Sequence, residues 1–141
     1  EILPGTDNRK MSKSYNNFIN LSSTADEVKT KVWNMVTDPA RIRKTDPGHP
    51  DICAVYAYQG FYNKEKQEEI CENCKKGCIG CGECKKMLTD KINAFLDPIR
   101  EKRAFYEANP RLLDDIIDSG NTAARKVACH TMEMVREAIK I

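Results

Sequence analysis

The chain has 141 residues, with 23 basic and 21 acidic side chains and a formal net charge of +2, a length that suits one domain or a small domain with part of another. A charge so close to neutral excludes a broadly basic nucleic-acid-binding protein, so any basic face has to be local. No apolar run approaches the roughly 20 residues that a membrane-spanning helix needs, so we expect no membrane partner and a cytoplasmic location.

The first residues read as the middle of a longer protein. The chain begins at Glu1 rather than Met, and its opening "EILPGTDN" joins an apolar pair to the turn-forming residues Pro4, Gly5 and Asp7. We therefore expect this chain to be the C-terminal part of a larger polypeptide.

The segment "NRKMSKSYNN" (8–17) follows at once and is predicted to hold phosphate. Lys10 and Lys13 stand three residues apart, so both ammonium groups can reach one polyanion while hydroxyls and backbone amides donate further hydrogen bonds. Charge placed in this way would stabilise the negative charge that grows on a leaving pyrophosphate. The residues alone also allow a solvated polar loop.

Helical patterns occupy the middle of the chain. Thr24 and Glu27 form a capping-box pattern, after which apolar residues recur at helical spacing until Asp38 and Pro39. Pro50 and Asp51 are predicted to open a short helix after a loop rich in Pro, Gly and Asp. This helix is expected to turn Ile52, Cys53, Tyr56 and Phe61 toward a core, against which the lone tryptophan, Trp33, also packs.

Two long helical patterns complete the chain. Residues 84–109 keep an apolar stripe, with a kink predicted at Pro98, and a further helix starts at Pro110 with an interruption predicted at Ser119 and Gly120. The remaining residues form an amphipathic helix. With almost no strand pattern, the predicted fold class is all-α, an antiparallel helical bundle.

Cysteine is the residue type with the most informative spacing. The chain has seven, an odd number that argues against a disulfide framework. Five lie within fourteen residues: Cys71, Cys74, Cys78, Cys81 and Cys84. A [4Fe-4S] cluster needs four thiolates, and the set of Cys74, Cys81 and Cys84 with the distant Cys53 has a suitable form. Zn²⁺ bound by Cys71, Cys74, Cys81 and Cys84, a partial ferredoxin run and reduced thiols without a metal remain open.

Three stretches carry a family resemblance. "PGTDNRKMSKSYNN" resembles the second signature motif of the class I aminoacyl-tRNA synthetases, with the pentapeptide KMSKS complete. "VTDPARIRKTDPGHPDICAVYAYQGFY" and "GNTAARKVACHTMEMVREAI" resemble tryptophanyl-tRNA synthetases in particular. Tyrosyl-tRNA synthetases share the loop and are the near alternative. The resemblance covers essentially the whole chain.

The resemblance implies a domain plan and an activity. Residues 1–20 would be the end of a Rossmann-type catalytic domain that is mostly missing, and residues 21–141 a helical anticodon-binding domain with a metal-cluster insertion near 53–84. Members of the family, as homodimers, activate tryptophan with ATP and Mg²⁺ and charge tRNA(Trp). Lys10 and Lys13 would be the catalytic residues of this loop, and Met11, Ser12 and Ser14 the other members of the ATP-binding loop. The fragment alone is expected to be inactive.

The resemblance also bears on the metal and on the RNA. Some bacterial members carry a [4Fe-4S] cluster on a C-x22-C-x6-C-x2-C pattern, and this chain matches it at Cys53, Cys74, Cys81 and Cys84 except that the first gap is x20. Six basic residues are candidates for tRNA binding: Lys75, Lys76, Lys85, Lys86, Arg125 and Lys126. A stand-alone, metal-stabilised helical module that binds RNA or protein is the alternative function.

Overall fold

The computed structural model describes residues 3–140, and all regular secondary structure in that range is helical. This agrees with the predicted all-α class. The chain divides into two compact units between Arg100 and Glu101, whereas the domain boundary predicted near residue 20 stays a prediction. The helices are α1 (Ala25–Trp33), α2 (Ala54–Tyr62), α3 (Gln67–Lys75), α4 (Cys81–Ala108) and α5 (Pro110–Ile139), with short 3-10 turns at Pro50–Ile52 and Lys64–Lys66.

The start of α1 is confirmed by its capping box. The Thr24 hydroxyl accepts a hydrogen bond from the Glu27 backbone N–H at 3.2 Å, and the Glu27 carboxylate accepts one from the Thr24 N–H at 2.9 Å. The helix ends at Trp33, earlier than predicted. The backbone N–H of Val36 instead donates to the Thr6 carbonyl at 3.0 Å. The chain therefore leaves the helix to contact residues 4–17, which contain the KMSKS motif and which we call the signature loop.

The first unit is built on one hydrophobic core. Tyr58 in α2 lies in this core, and its hydroxyl donates to the Pro4 carbonyl at 2.9 Å. Leu3 and Ile19, on either side of the signature loop, also pack on the core, so the loop is fixed to the helices. The buried members are Val28, Val32, Met35, Ala54, Val55, Tyr58, Leu88, Ile92 and Leu96.

Three predicted core positions are wrong. Ile52, Phe61 and Trp33 have exposed fractions of 47%, 68% and 57%. The 3-10 turn at Pro50–Ile52 delays the start of α2 to Ala54. The face that meets the core is therefore the one that carries Val55, Tyr58 and Gln59, all buried, and Phe61 points to solvent.

The interruption predicted at Ser119 and Gly120 is absent, whereas the kink predicted at Pro98 stays a prediction. α4 is assigned as helix through Pro98, with Leu96 and Ile99 packed on the core on either side of it. α5 runs through Gly120, where a glycine costs only about 1 kcal/mol relative to alanine. Between residues 3 and 140, no helix is long and apolar enough to cross a membrane.

Candidate functional site

The signature loop is closed by backbone hydrogen bonds at its base. The Gly5 N–H donates to the Arg9 carbonyl at 2.7 Å, and the Thr6 N–H donates to the Asn17 carbonyl at 2.8 Å. Asn8 and Asn16 have φ of +65° and +48°, the left-handed conformation that asparagine tolerates better than most residues. The loop therefore has a defined shape, with an asparagine at each bend.

Asn17 is the centre of this loop. Its side chain is 3% exposed. Its Oδ1 accepts from the Ser12 N–H at 2.8 Å, while its Nδ2 donates to the Asp7 carboxylate at 2.7 Å and to the Lys10 carbonyl at 3.1 Å. A Cβ at Gly5 would lie 2.2 Å from the Asn17 Nδ2. Only glycine at position 5 leaves room for the amide that organises the loop.

The charged groups of the loop include a hydrogen-bonded carboxylate and two exposed ammonium groups. The hydrogen bond from Asn17 is the main cause that lowers the pKa of Asp7 below its usual range, so this carboxylate stays ionised and keeps its bond. Lys10 and Lys13 are exposed, and in the described part of the chain neither is in an ion pair. Met11 and Ser14 are exposed and Ser12 is half-buried. Two unpaired ammonium groups on a shaped loop can attract a polyphosphate.

Four predicted metal ligands line one cavity. Cys53 lies just before α2, Cys74 in the last turn of α3, and Cys81 and Cys84 in the first turn of α4. The Gly48 N–H donates to the Cys74 carbonyl at 3.0 Å, and a Cβ at Gly48 would lie 2.6 Å from the Cys74 sulfur. Cys71 and Cys78 are not among the lining residues.

Arg41 brings a positive charge to these sulfurs. Its Nη1 lies 3.7 Å from the Cys74 Sγ and 3.9 Å from the Cys81 Sγ. Its Nη2 donates to the Lys44 and Ile79 carbonyls, both at 2.5 Å. The Nε is buried and has no partner within the described residues. A guanidinium held here favours a negatively charged occupant such as a thiolate-ligated metal.

Burial favours the protonated form of three of these thiols, because it raises the pKa of each. Burial raises the pKa of Cys53 and Cys74, although the positive charge of Arg41 opposes the shift at Cys74. Burial raises the pKa of Cys84 to about 11, against a hydrogen bond from Gln59. A metal would have to displace these protons. In residues 3–140, no group of three or more His, Cys, Asp and Glu side chains is arranged to hold one metal ion directly.

The six candidate tRNA-binding residues differ in their surroundings. Lys76 pairs with Glu72 at 2.9 Å. Lys85 donates to the Trp33 carbonyl at 2.6 Å, and burial lowers its pKa, so it acts as a bridge between α1 and α4. Exposed side chains without an ion pair in the described chain are Lys75, Lys86, Arg125 and Lys126.

Three functional features were missed from the sequence. Asn17 and Arg41 act through contacts that no motif spacing marks. The third is a buried carboxylate, Asp38, whose Oδ2 accepts from the backbone N–H of His49 at 2.9 Å and lies 2.8 Å from its Nδ1. The bond to His49 is the main cause that lowers the pKa of Asp38. This pair closes the loop that presents Arg41.

Comparisons with known proteins place the chain in a family. Residues 1–97 match the family of class I tRNA synthetases (W and Y). The chain is 42% identical over 141 residues to the tryptophan–tRNA ligase of Aquifex aeolicus (99% of this chain, 36% of that protein) and 43% identical to that of Thermotoga maritima (99% and 43%). It spans between 36% and 43% of the length of these two relatives.

Solved structures give the same result for the fold. Tryptophanyl-tRNA synthetase from Campylobacter jejuni, complexed with ADP and tryptophan, is 32% identical and matches with a TM-score of 0.87 over 100% of this chain and 44% of that one. The tryptophanyl-tRNA synthetase of Aeropyrum pernix matches 74% of the chain with a TM-score of 0.65. Sequence and fold thus agree, and the chain belongs to the class I tRNA synthetases of the W and Y family.

Proposed function

We propose that this chain is the C-terminal part of a tryptophan–tRNA ligase, which activates tryptophan with ATP and Mg²⁺ and transfers it to tRNA(Trp). Its similar relatives bear that name, and the Campylobacter jejuni protein was crystallised with ADP and tryptophan. The single observation that carries the proposal is the shaped signature loop, in which Asn17 fixes the backbone and leaves Lys10 and Lys13 exposed. A homodimeric, cytoplasmic enzyme is part of the same proposal.

The proposed work of the loop is electrostatic. Exposed, unpaired ammonium groups at Lys10 and Lys13 would bind the triphosphate and then stabilise the charge on the departing pyrophosphate. Ser12 and Ser14 would add hydrogen-bond donors, and Met11 would pack beside the nucleotide. Only interactions that strengthen in the transition state raise the rate of the chemical step.

The test is Lys13→Ala in the longer enzyme that contains this chain. Pyrophosphate exchange gives the rate of adenylate formation, and equilibrium titration gives the affinity for tryptophan. We expect the rate to fall about 100-fold, as when one electrostatic donor is removed, with little change in tryptophan affinity. Lys64→Ala, an exposed lysine of the 3-10 turn Lys64–Lys66, is the control. Equal losses of rate and of tryptophan affinity would contradict the transition-state function.

The proposed cofactor is a [4Fe-4S] cluster, with Zn²⁺ as the alternative. Four thiols that line one cavity, together with a partly buried guanidinium beside two of them, suit an anionic thiolate-ligated group. The ligands would be Cys53, Cys74, Cys81 and Cys84. A bound cluster would supply a structural crosslink between the ends of three helices. Cys71, which the zinc alternative needs, does not line this cavity.

Metal analysis separates the two cofactors. Protein purified without oxygen should contain about four irons and four sulfides per chain and have a brown chromophore; one zinc and no colour would mean a tetrahedral zinc site. Cys81→Ser should lose the metal and lower the unfolding temperature. Cys129→Ser, an exposed cysteine of α5, is the matched control. Unchanged metal content in Cys81→Ser would mean that Cys81 is not a ligand and that another set of cysteines binds the metal.

The proposed RNA contacts come from the basic residues that remain available. Lys75, Lys86, Arg125 and Lys126 are exposed, so they can contact phosphates. Each phosphate contact that is lost should weaken tRNA binding and reduce its dependence on salt concentration. Lys76 and Lys85 already have partners within the chain, and we expect their substitution to affect tRNA binding less.

A further inference from the structure

The only tryptophan of the chain is exposed where α1 meets α4. Trp33 is the last residue of α1, and 57% of its surface is accessible. Its Cη2 lies 3.5 Å from the position of a Cβ at Gly82, and its carbonyl accepts the hydrogen bond from Lys85. The indole is thus held against the first turn of α4 while much of its surface stays open to solvent. The exposed part of the indole is available for stacking against a planar ligand.

Two adjoining cavities lie at the start of α4. One has a volume of about 570 Å³ and is lined by Trp33 and Lys86; the other has about 460 Å³ and is lined by Arg43 and Lys44. Gly82 and Glu83 line both cavities. We call this surface, defined by Trp33, Arg43, Lys44, Gly82 and Lys86, the Trp33 groove.

Two glycines bring its aromatic and basic parts close together. A Cβ at Gly82 would meet the Trp33 ring at 3.5 Å, and a Cβ at Gly80 would meet the Lys44 side chain at the same distance. The Cα atoms of two residues separated by one other lie at most about 7 Å apart. Each contact adds at most about 5 Å to this span, so the contacted part of Lys44 lies within about 17 Å of the indole, a distance that a few nucleotides of single strand can bridge.

The charge of the groove suits a nucleic acid. Arg43 and Lys44 lie at one end and Lys29 and Lys86 at the other, and none of these four is in an ion pair in the part of the chain that the structure describes. Three carboxylates, Asp26, Glu83 and Asp90, line the part beside Trp33, and only Glu83 also lines the part with Arg43 and Lys44. The positive charge is therefore concentrated at the Arg43 and Lys44 end, which is where phosphates would bind.

We propose that the Trp33 groove binds single-stranded RNA, with one unpaired base stacked on the Trp33 indole and phosphates of the same strand on Arg43 and Lys44. Stacking of a base on an aromatic side chain contributes about 1–3 kcal/mol and needs a base whose face is free. The paired bases of a duplex have no such face. The inference rests on the proposed tRNA-binding function and names the surface that would contact an unpaired loop.

The sole tryptophan serves as the probe. The 141-residue chain is titrated with an RNA hairpin that has a single-stranded loop and with a fully paired duplex of the same composition. We expect the hairpin to quench the Trp33 fluorescence in a saturable way and the duplex to leave it nearly unchanged. Labelled hairpin RNA, followed by fluorescence anisotropy, then gives the affinities of the variants.

The variants separate stacking from charge. Trp33→Ala should weaken hairpin binding about tenfold, whereas Trp33→Phe, which keeps a ring, should recover most of the affinity. Arg43→Ala should reduce the slope of log affinity against log salt concentration by about 1, the change expected when one phosphate contact is lost. Phe61→Ala, an aromatic residue of α2 that is 68% exposed, is the matched control and should change nothing.

The outcomes distinguish the inference from the proposed function. If the hairpin binds with unchanged fluorescence and Trp33→Ala binds as tightly as wild type, the groove is refuted while RNA binding by the chain stands. Equal quenching by the duplex would also refute stacking on Trp33. If neither RNA binds even at low salt, the groove and the tRNA-binding function of this chain are both refuted.

Discussion

Replacing Asn17 by alanine should release the signature loop without unfolding the protein. The buried amide makes three hydrogen bonds, to the Ser12 N–H, the Lys10 carbonyl and the Asp7 carboxylate. Neutral hydrogen bonds of this kind contribute about 0.5–1.5 kcal/mol each, and a bond to a charged group about 1.5–3 kcal/mol. Because the partners lie in a partly exposed loop where water can replace the amide, we expect a net loss of about 2 kcal/mol in the free energy that keeps the loop closed.

Amide hydrogen exchange measures this directly. The Ser12 N–H is bonded to the Asn17 side chain itself, so its exchange in Asn17→Ala should accelerate about thirtyfold, the factor that corresponds to 2 kcal/mol. The Val28 amide, bonded within α1, should exchange as in wild type. Asn20→Ala, an exposed asparagine three residues later, is the control. Unchanged Ser12 exchange in Asn17→Ala would refute the assignment of Asn17 as the residue that shapes the loop.

Three further predictions follow from single contacts. Thr24→Ala should lower the free energy of unfolding by about 1 kcal/mol in urea titrations, and Thr24→Ser should restore most of it. Tyr58→Phe removes the bond to the Pro4 carbonyl and should cost about 1 kcal/mol, measured in the same way. The pKa of Asp38 is lower in the folded protein than its ordinary value of 3.8. Ionised Asp38 therefore stabilises the fold fully above pH 3.8, and this stabilisation is lost as the pH falls through the lowered pKa. The difference in free energy of unfolding between wild type and Asp38→Asn should accordingly vanish in acid.

Local signals in the sequence predicted local structure well. The capping box of Thr24 and Glu27 is complete within four residues and needs no other part of the chain, and it is present as predicted. The predicted core-facing side of α2 was wrong because it depends on the residue at which the helix starts. A 3-10 turn at Pro50–Ile52 shifts the start of the helix to Ala54, and this shift turns Phe61 away from the core.

In the candidate metal site, residue spacing alone could predict only the positions that lie close together in the sequence. Cys81 and Cys84 are three residues apart in α4, so helix geometry alone places both sulfurs on one face. That Cys53 lines the same cavity as Cys74 depends on how α2 and α3 pack; the need for a fourth, distant thiolate made Cys53 a candidate, but zinc bound through Cys71 was equally open on spacing alone. Arg41 and Asn17 were missed because a hydrogen bond from a single polar side chain to a distant partner leaves no periodic pattern in the sequence.

One connecting segment, residues 36–49, physically joins the signature loop to the cysteine cavity. At its start the Val36 N–H bonds the Thr6 carbonyl below the loop, and in its middle Arg41 lies beside two sulfurs. The bond between Asp38 and His49 closes the segment into one loop, so its two ends cannot move apart without breaking a buried interaction. A second connection runs from the Asn8 side chain to the Ile52 carbonyl, one residue before Cys53. Any group bound by the four thiols would therefore be tied to the backbone that presents Lys10 and Lys13. On the proposed function, a structural metal at this position would stabilise the backbone that carries the signature loop.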